Sequence, residues 1–168
     1  KVDANAFVKQ LDISEVSTQY RSNLNGSIAL SLAQEGQRWK VTLPALQLQG
    51  DINDIPLTLS SQLSLDTELN GVIKNLQLQS GENFVKLAGK FNKNWDLSGQ
   101  LNLSHAAQIS PSLRGLASGD FNIKGKRNAP IAKWQLAING LALPQIEIDH
   151  ITSVGELNVA NNFEADIS

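Results

Sequence analysis

The sequence predicts an all-β chain, and three of its features carry this prediction. Apolar and polar residues alternate along most of its length, as in residues 95–103, where Trp95, Leu97, Leu101 and Leu103 are separated mainly by polar residues. Side chains of a strand point alternately to its two faces, so each such segment has one apolar and one polar face. Short segments rich in Gly, Asn and Asp interrupt the alternation at the spacing typical of β proteins, which predicts roughly ten to twelve short strands.

The first element departs from this period of two. Ala4, Phe7, Val8 and Leu11 are spaced i, i+3, i+4 and i+7, which is the spacing of one helix face, and Asp3 precedes them as the N-cap. The pattern therefore predicts a short amphipathic helix at the start of the chain.

Alternation governs most of the remaining elements. Pro44 shifts its phase between Val41 and Leu48. Ser104 caps one or two predicted helical turns in residues 104–109, which end before Pro111. The predicted strands, in chain order, include residues 28–32, 39–43, 46–48, 55–59, 63–65, 76–78, 85–91, 95–103, 121–123, 134–138 and several short segments between 141 and 167.

Turn residues separate these strands. Asn and Gly tolerate positive φ, so Asn-Gly pairs predict hairpin turns or strand starts at 25–26, 70–71 and 139–140. Residues 80–83 and 92–94 are short polar turns. The basic segment Lys124–Asn128 is interpreted as a solvated loop rather than a phosphate site.

The composition is that of a folded chain without a nucleic-acid partner. The chain of 168 residues is 41% hydrophobic and 18% charged, with a net charge of −2, whereas phosphate backbones require a basic surface. The absence of cysteine excludes disulfides and thiolate metal sites. No apolar run reaches the ~18 residues of a membrane-spanning helix. Because the chain begins at Lys1 and contains no Met, we expect it to be a piece of a longer protein.

Catalytic chemistry has no recognisable residues here. His105 and His150 stand outside any motif, and no nucleophile elbow, metalloprotease motif or phosphate loop is present. Asp51–Asp54 lacks the Gly and the distal Glu of a calcium loop. We expect a protein that is not an enzyme and that has neither a metal nor a cofactor.

A degenerate internal repeat underlies the pattern. Its units cover residues 26–70, 71–118 and 119–168, and each begins with Gly and contains one Trp. A period in this range indicates stacked supersecondary units that share one continuous face.

The apolar face of such a sheet must be covered, and three covers are compatible with the alternation. The sheet can fold on itself as a sandwich or small barrel. It can face lipid as an outer-membrane barrel, although the aromatic girdles of that class are missing. Alternatively, it can curl into an open trough that holds something apolar.

The segment LNGVIKNLQLQSGENFVKLAGKFNKNWDLSGQLNLSHAAQISPSLRGLASGDFNIKGKRNAP, residues 69–130, resembles the periplasmic part of the TamB family. The ordered series of glycines, Trp95-Asp96-Leu97 and Pro111-Ser112-Leu113-Arg114-Gly115 carries the resemblance. It implies an elongated, curved, largely antiparallel sheet that forms an open trough with an apolar concave face, as in the related AsmA-like bridge proteins. It also implies a location in the periplasm, within a protein anchored in the inner membrane of a Gram-negative bacterium. The implied partners are a TamA-like outer-membrane barrel, bound through other parts of the protein, and phospholipid acyl chains or nascent outer-membrane protein strands.

The resemblance supplies no catalytic residues, and it makes the apolar residues of the strands the expected lining of a groove. A lipid conduit, a scaffold that pairs with strands of outer-membrane proteins, and a closed-sandwich spacer are the three functions to be distinguished. The predicted groove-lining residues are Ile28, Leu30, Leu32, Trp39, Val41, Leu43, Leu57, Leu59, Leu76, Leu78, Val85, Leu87, Phe91, Trp95, Leu97, Leu101, Leu103, Phe121, Ile123, Trp134, Leu136 and Ile138.

Overall fold

The computed structural model describes residues 1–15, 21–36, 38–108, 114–143, 146–158 and 162–167. These residues form eleven strands and two single 3-10 turns, which confirms the predicted all-β class. The 3-10 turns are Ile13–Glu15 and Ala106–Gln108. The strands are β1 (Val2–Leu11), β2 (Ser22–Glu35), β3 (Arg38–Ile52), β4 (Ile55–Asp66), β5 (Gly71–Ser80), β6 (Asn83–Phe91), β7 (Asn94–Leu103), β8 (Arg114–Lys126), β9 (Ala129–Leu143), β10 (Ile146–Asn158) and β11 (Asn162–Ile167).

All eleven strands belong to one antiparallel sheet, and their order in space is their order in the sequence. Within the described residues, β1 pairs only with β2, and β11 pairs only with β10. The alternatives of a sandwich and of a sheet closed on itself are therefore wrong for this part of the chain. None of the helical segments in the described ranges has the length and apolarity to cross a bilayer.

A single layer cannot seal an ordinary core, and the accessible surface reflects this. The chain exposes 11361 Å². A globular monomer of 18.2 kDa exposes about 8,100 Å², so this chain leaves about 3,200 Å² more in contact with solvent. Among the described residues, the buried apolar side chains are Leu24, Leu97, Ala106 and Pro130, and none is completely buried.

The sheet is curled, and contacts between its turns show where. We call the turns after β2, β4, β6, β8 and β10 the even turn row, and those after β1, β3, β5, β7 and β9 the odd turn row. The Arg127 guanidinium, between β8 and β9, donates to the carbonyl oxygens of Glu68 (3.0 Å) and Leu69, between β4 and β5. Strands spaced by about 4.8 Å would put β5 and β8 about 14 Å apart in a flat sheet, beyond the reach of an arginine side chain. The sheet must therefore curve to bring these turns together.

The apolar side of the sheet is its concave side. Leu97 is only 7% exposed although no second layer covers it, whereas the next residue, Ser98, is exposed. Side chains converge on the inner side of a curved sheet and diverge on its outer side. This difference agrees with the predicted trough, of which the open antiparallel sheet is confirmed.

The helix predicted at the start of the chain is wrong, because these residues form β1. Ala4, Ala6 and Val8 lie opposite apolar or glycine positions of β2, and Phe7 points to the other side, where it is 81% exposed. Ala4, Phe7, Val8 and Leu11 fit the period of a helix. Ala4, Ala6 and Val8 fit the period of a strand equally well. Pairing with β2 decides between the two, and that pairing is a tertiary effect that local spacing does not contain.

Two of the three predicted Asn-Gly turns are also wrong. The pair at 25–26 lies within β2, where a Cβ added to Gly26 would be 1.9 Å from the Gln47 carbonyl oxygen. Glycine is used there for close strand approach rather than for a turn. The pair at 139–140 lies within β9, with Gly140 at a φ of 59°. The pair at 70–71 precedes and starts β5, as predicted.

The helical turn predicted within residues 104–109 is present as the 3-10 turn Ala106–Gln108, but its cap differs. The Ser104 hydroxyl has no hydrogen-bond partner among the described residues. Instead, the Asn83 side chain on β6 accepts from the His105 N–H (2.9 Å) and donates to the His105 carbonyl oxygen (3.0 Å). The predicted stop at Pro111 lies outside the described residues.

The other predicted turns are present. Short turns join β5 to β6, β6 to β7 and β8 to β9 at the predicted polar segments. The division into three repeats remains a prediction. Gly71 starts β5, whereas Gly26 and Gly119 lie inside β2 and β8.

Candidate functional site: an apolar concave face

Strand register places the predicted groove-lining residues on one face. Directly opposite residues of neighbouring antiparallel strands share a face, and one row of such residues crosses the sheet. From β1 to β10 this row is Ala6, Ile28, Leu46, Ser61, Leu76, Leu87, Gly99, Phe121, Trp134 and Gly155. Following the same pairings, every residue of the predicted set, from Ile28 to Ile138, lies on the side of this row, which we call the apolar face.

Bulges keep this face continuous. The register shifts between Leu43 and Leu46 in β3, and between Ile73 and Leu76 in β5. Residues three apart in a regular strand point to opposite faces, and the extra residue of a bulge returns them to the same one. The phase shift predicted at Pro44 is thus confirmed. The shift in β5 was missed, although its signal is present as a break in the alternation.

Aromatic rings on the apolar face lie over glycines of neighbouring strands. A Cβ added at each of these glycines would be about 2 Å from a ring, so the ring occupies the space that a side chain would take. The floor of the face is therefore aromatic carbon at these positions rather than exposed peptide. The pairs are Phe91 over Gly71, Phe121 over Gly99, and Trp134 over Gly155.

The apolar face remains in contact with solvent along its length. Trp39 is 41% exposed, Leu30 is 38% exposed and Leu78 is 37% exposed, although all three lie on the concave side. Most of the other predicted lining residues are half-buried. A contiguous apolar surface that remains exposed to water indicates a binding surface.

One part of the apolar face deepens into a cavity beside the odd turn row. Its volume of about 410 Å³ lies within the range of small-molecule pockets. Asn53, Ser80 and Asn83 are the polar residues of its lining. The predicted lining set missed Phe84 and the two isoleucines that flank the turn of Asn53 and Asp54. The apolar lining is Ile52, Ile55, Leu57, Leu78, Phe84, Val85 and Leu103.

The opposite face, which we call the polar face, is held by side-chain pairs between neighbouring strands. These pairs are solvent-exposed, so each contributes little to stability, and together they keep this face hydrated. They are Gln100–Asp120 (3.0 Å), Lys124–Asp96 (3.6 Å) and Lys133–Glu156 (2.7 Å).

Two carboxylates with lowered pKa values belong to turns rather than to the apolar face. The backbone N–H of Asn70 donates to Asp66 (2.9 Å) and is the largest cause of the lowered pKa of that carboxyl. The backbone N–H of Ser14 donates to Asp12 (3.0 Å) and does the same for the pKa of Asp12. Both groups are ionised acceptors that fix a turn.

The described residues contain no group of three or more acidic or histidine side chains placed to hold a metal ion. His105 lies 3.4 Å from Glu82, and His150 bonds to Asn139 and Thr152 on the polar face. The apolar face can bind apolar groups through the hydrophobic effect. This binding is non-directional, and its strength depends on the apolar area removed from water.

Comparison with known proteins identifies the family of this chain. The family described as "TamB, N-terminal domain" matches residues 1–168. The chain is similar to "Translocation and assembly module subunit TamB" of Haemophilus influenzae, at 22% identity over 159 residues, which cover 95% of this chain and 12% of the relative. The chain thus spans about an eighth of that relative's length. No solved structure matches it. The chain belongs to the TamB family.

Proposed function

We propose that the chain is a non-catalytic segment of a periplasmic envelope protein whose apolar face shields the acyl chains of phospholipids. The protein would be anchored in the inner membrane of a Gram-negative bacterium and would carry these lipids between the inner and outer membranes. The observation that carries the proposal is the apolar concave face that no other part of the described chain covers. The relative's name, a subunit of a translocation and assembly module, supports a role in envelope assembly.

The dimensions of the face suit a path rather than a single site. Eleven strands at about 4.8 Å spacing extend over about 48 Å, whereas one acyl chain spans about half of the ~30 Å hydrocarbon core of a bilayer. An acyl chain can therefore occupy successive positions along the row of apolar residues. Each methylene kept from water gains about 0.8 kcal/mol, so apolar burial on this face offsets the acyl chain's loss of bilayer contacts.

Strand pairing with an outer-membrane protein is a second candidate, and the edge of the sheet favours it. β1 pairs only with β2 among the described residues, so one side of its backbone is available for another strand. A client strand would add to this edge by β-augmentation and place its apolar side chains on the apolar face. A TamA-like barrel would meet the full-length protein elsewhere. The closed-sandwich spacer is not proposed, because the strands form one layer.

Photo-crosslinking in living cells tests the proposal. A photoreactive residue replaces Leu101 on the apolar face in one variant of the full-length protein, and Gln100 on the polar face in the other. The two positions are adjacent in β7, so they share backbone accessibility and differ only in the face they sample. Captured material is identified by mass spectrometry.

We expect phospholipid at position 101 and none at position 100. Capture of protein instead of lipid at position 101 would favour strand pairing and contradict lipid carriage. An absence of any adduct at position 101 in a correctly folded variant would show that the face is sealed, and the proposed function would be wrong.

A further inference from the structure

The even turn row carries uncompensated positive charge beside one end of the apolar face. Lys90, Lys93, Lys126 and Arg127 have no carboxylate within ion-pair distance among the described residues. The first two lie at the β6–β7 turn, and the other two lie at the β8–β9 turn. Unpaired cations that are close together create a positive potential that favours an anionic ligand.

Three acidic residues at or beside the even turn row already have partners. Glu68 pairs with Arg38 at 2.8 Å, and Asp96 pairs with Lys124 at 3.6 Å. Asp66 accepts hydrogen bonds within its own turn. These carboxylates thus already have partners, and none of them lines the space between the β6–β7 and β8–β9 turns.

Three of these cations, Lys93, Lys126 and Arg127, line a cleft of about 350 Å³ between the two turns, together with Asn94 and Asn128. The Arg127 backbone N–H donates to the Lys93 carbonyl oxygen at 3.0 Å and so ties the walls of the cleft together. The Arg127 side chain, bonded to Glu68 and Leu69 carbonyls, ties this pair of turns to a third one. The cleft is thus held in place before any ligand binds, which lowers the entropic cost of binding.

The register places Asn94 and Lys126 at the end of the polar face, whereas Lys93 and Arg127 lie in the turns, where the polar face meets the end of the apolar face. Phe91 and Trp95 flank the β6–β7 turn and lie opposite each other on the apolar face. Pro130 follows the β8–β9 turn on the same face and is buried. Apolar surface and cations therefore follow one another over the length of a few residues, which is the order of groups in an amphiphile with an anionic head.

We propose that this cleft binds the phosphate diester of a phospholipid whose acyl chains lie on the apolar face beyond Phe91 and Trp95. The inference rests on the proposed function, because the same lipid occupies both surfaces. The Lys93 and Lys126 ammonium groups supply point charges to the phosphate oxygens, which remain partly hydrated at the turns. The basic segment Lys124–Asn128, interpreted from sequence as a solvated loop, thereby acquires a ligand.

The test compares two double variants of the full-length protein. Lys93→Gln with Lys126→Gln removes two charges from the cleft and leaves Arg127 to hold the turns. Lys9→Gln with Lys74→Gln is the matched control, because it removes the same charge from two exposed lysines of β1 and β5. Each double variant carries a photoreactive residue either at Asn94, inside the cleft, or at Leu101, on the apolar face.

We expect phospholipid capture at position 94 to fall about tenfold in the Lys93/Lys126 variant and to be unchanged in the control. Capture at position 101 should persist in both. Equal capture at position 94 in both variants, with lipid still captured at position 101, would overturn the phosphate site and leave the proposed function intact. Loss of capture at position 101 in the otherwise unaltered protein would refute the proposed function, and the phosphate site with it.

A second arm separates a lipid phosphate from free phosphate. Inorganic phosphate is added to the purified protein at an ionic strength matched with chloride, and capture at position 94 is measured with added phosphatidylglycerol. Retention of the lipid adduct supports a site for the lipid headgroup. Complete displacement by millimolar phosphate would mean that the cleft prefers the free anion, and the inference would be wrong.

Discussion

An aspartate placed at Leu78 should leave the chain folded, whereas an aspartate at Leu97 should unfold it. Both leucines lie on the apolar face, but Leu78 is 37% exposed and Leu97 is 7% exposed. Full burial of a leucine stabilises a protein by about 1.5–3 kcal/mol, so the portion lost at Leu78 is about 1–2 kcal/mol, and the carboxylate can turn toward water. At Leu97 nearly the whole of that term is lost and the carboxylate is desolvated. The total there exceeds about 4 kcal/mol, which is comparable to the stability of many domains.

Urea denaturation followed by tryptophan fluorescence measures this difference, with far-UV circular dichroism to confirm β structure before urea is added. Leu78→Asn and Leu97→Asn serve as uncharged controls of similar size. The midpoint should fall slightly for Leu78→Asp, while Leu97→Asp should show no cooperative transition. If Leu78→Asp were as disruptive as Leu97→Asp, Leu78 would be sealed from water in solution, and the argument for an open face would be refuted.

Further predictions concern the backbone and the turns. Asn83→Ala removes a 2% exposed side chain that holds both backbone groups of His105, so it should destabilise by about 2–3 kcal/mol and speed hydrogen exchange in residues 104–108, measured by mass spectrometry. In urea denaturation, Gly36→Ala should lower the free energy of unfolding by ~1–2 kcal/mol, and Gly89→Ala should lower it by considerably more. Both have positive φ, but a Cβ at Gly89 would also lie 2.1 Å from a carbonyl oxygen, whereas one at Gly36 meets nothing within 4 Å. The lowered pKa of Asp66 contributes stability that is present above its ordinary value of 3.8 and is lost as the pH falls through the lower folded value. Asp66→Asn should therefore flatten the dependence of the urea midpoint on pH below about 4; an unchanged slope would contradict this.

The period of two predicted most of the sheet because one face of each strand is fully hydrated, whereas the side chains of the other face pack against one another on the inside of the curve. Water on one side and apolar contact on the other imprint the alternation directly on the sequence, as in β7 and β8. Pro44 was recognisable for a related reason, since a residue without an N–H donor is placed where the ladder is interrupted. These signals are local, and they can be read without knowledge of the neighbouring strands.

The misassignments arise where a neighbouring strand decides. β1 is an edge strand with a single partner, so its side chains are largely exposed and its alternation is weak. Gly26 was read as a turn residue, but the Gln47 carbonyl of β3 is what requires a glycine there. Asn83 gave no sign of capping a 3-10 turn 22 residues later in the chain. The cationic cleft likewise depends on two turns that only the pairing of β7 with β8 brings together.

The strictly sequential strand order has a consequence for how length can vary in this fold. Because most contacts join neighbouring strands, a hairpin can be added or removed with little change elsewhere, except between β4 and β9, where the Arg127 side chain ties two turns together. Duplication of one hairpin would extend the sheet by about 10 Å and carry the apolar row across the new strands unbroken. The span of such a sheet can therefore change by gene duplication in steps of one hairpin. Its span and the chemistry of its apolar face can evolve separately.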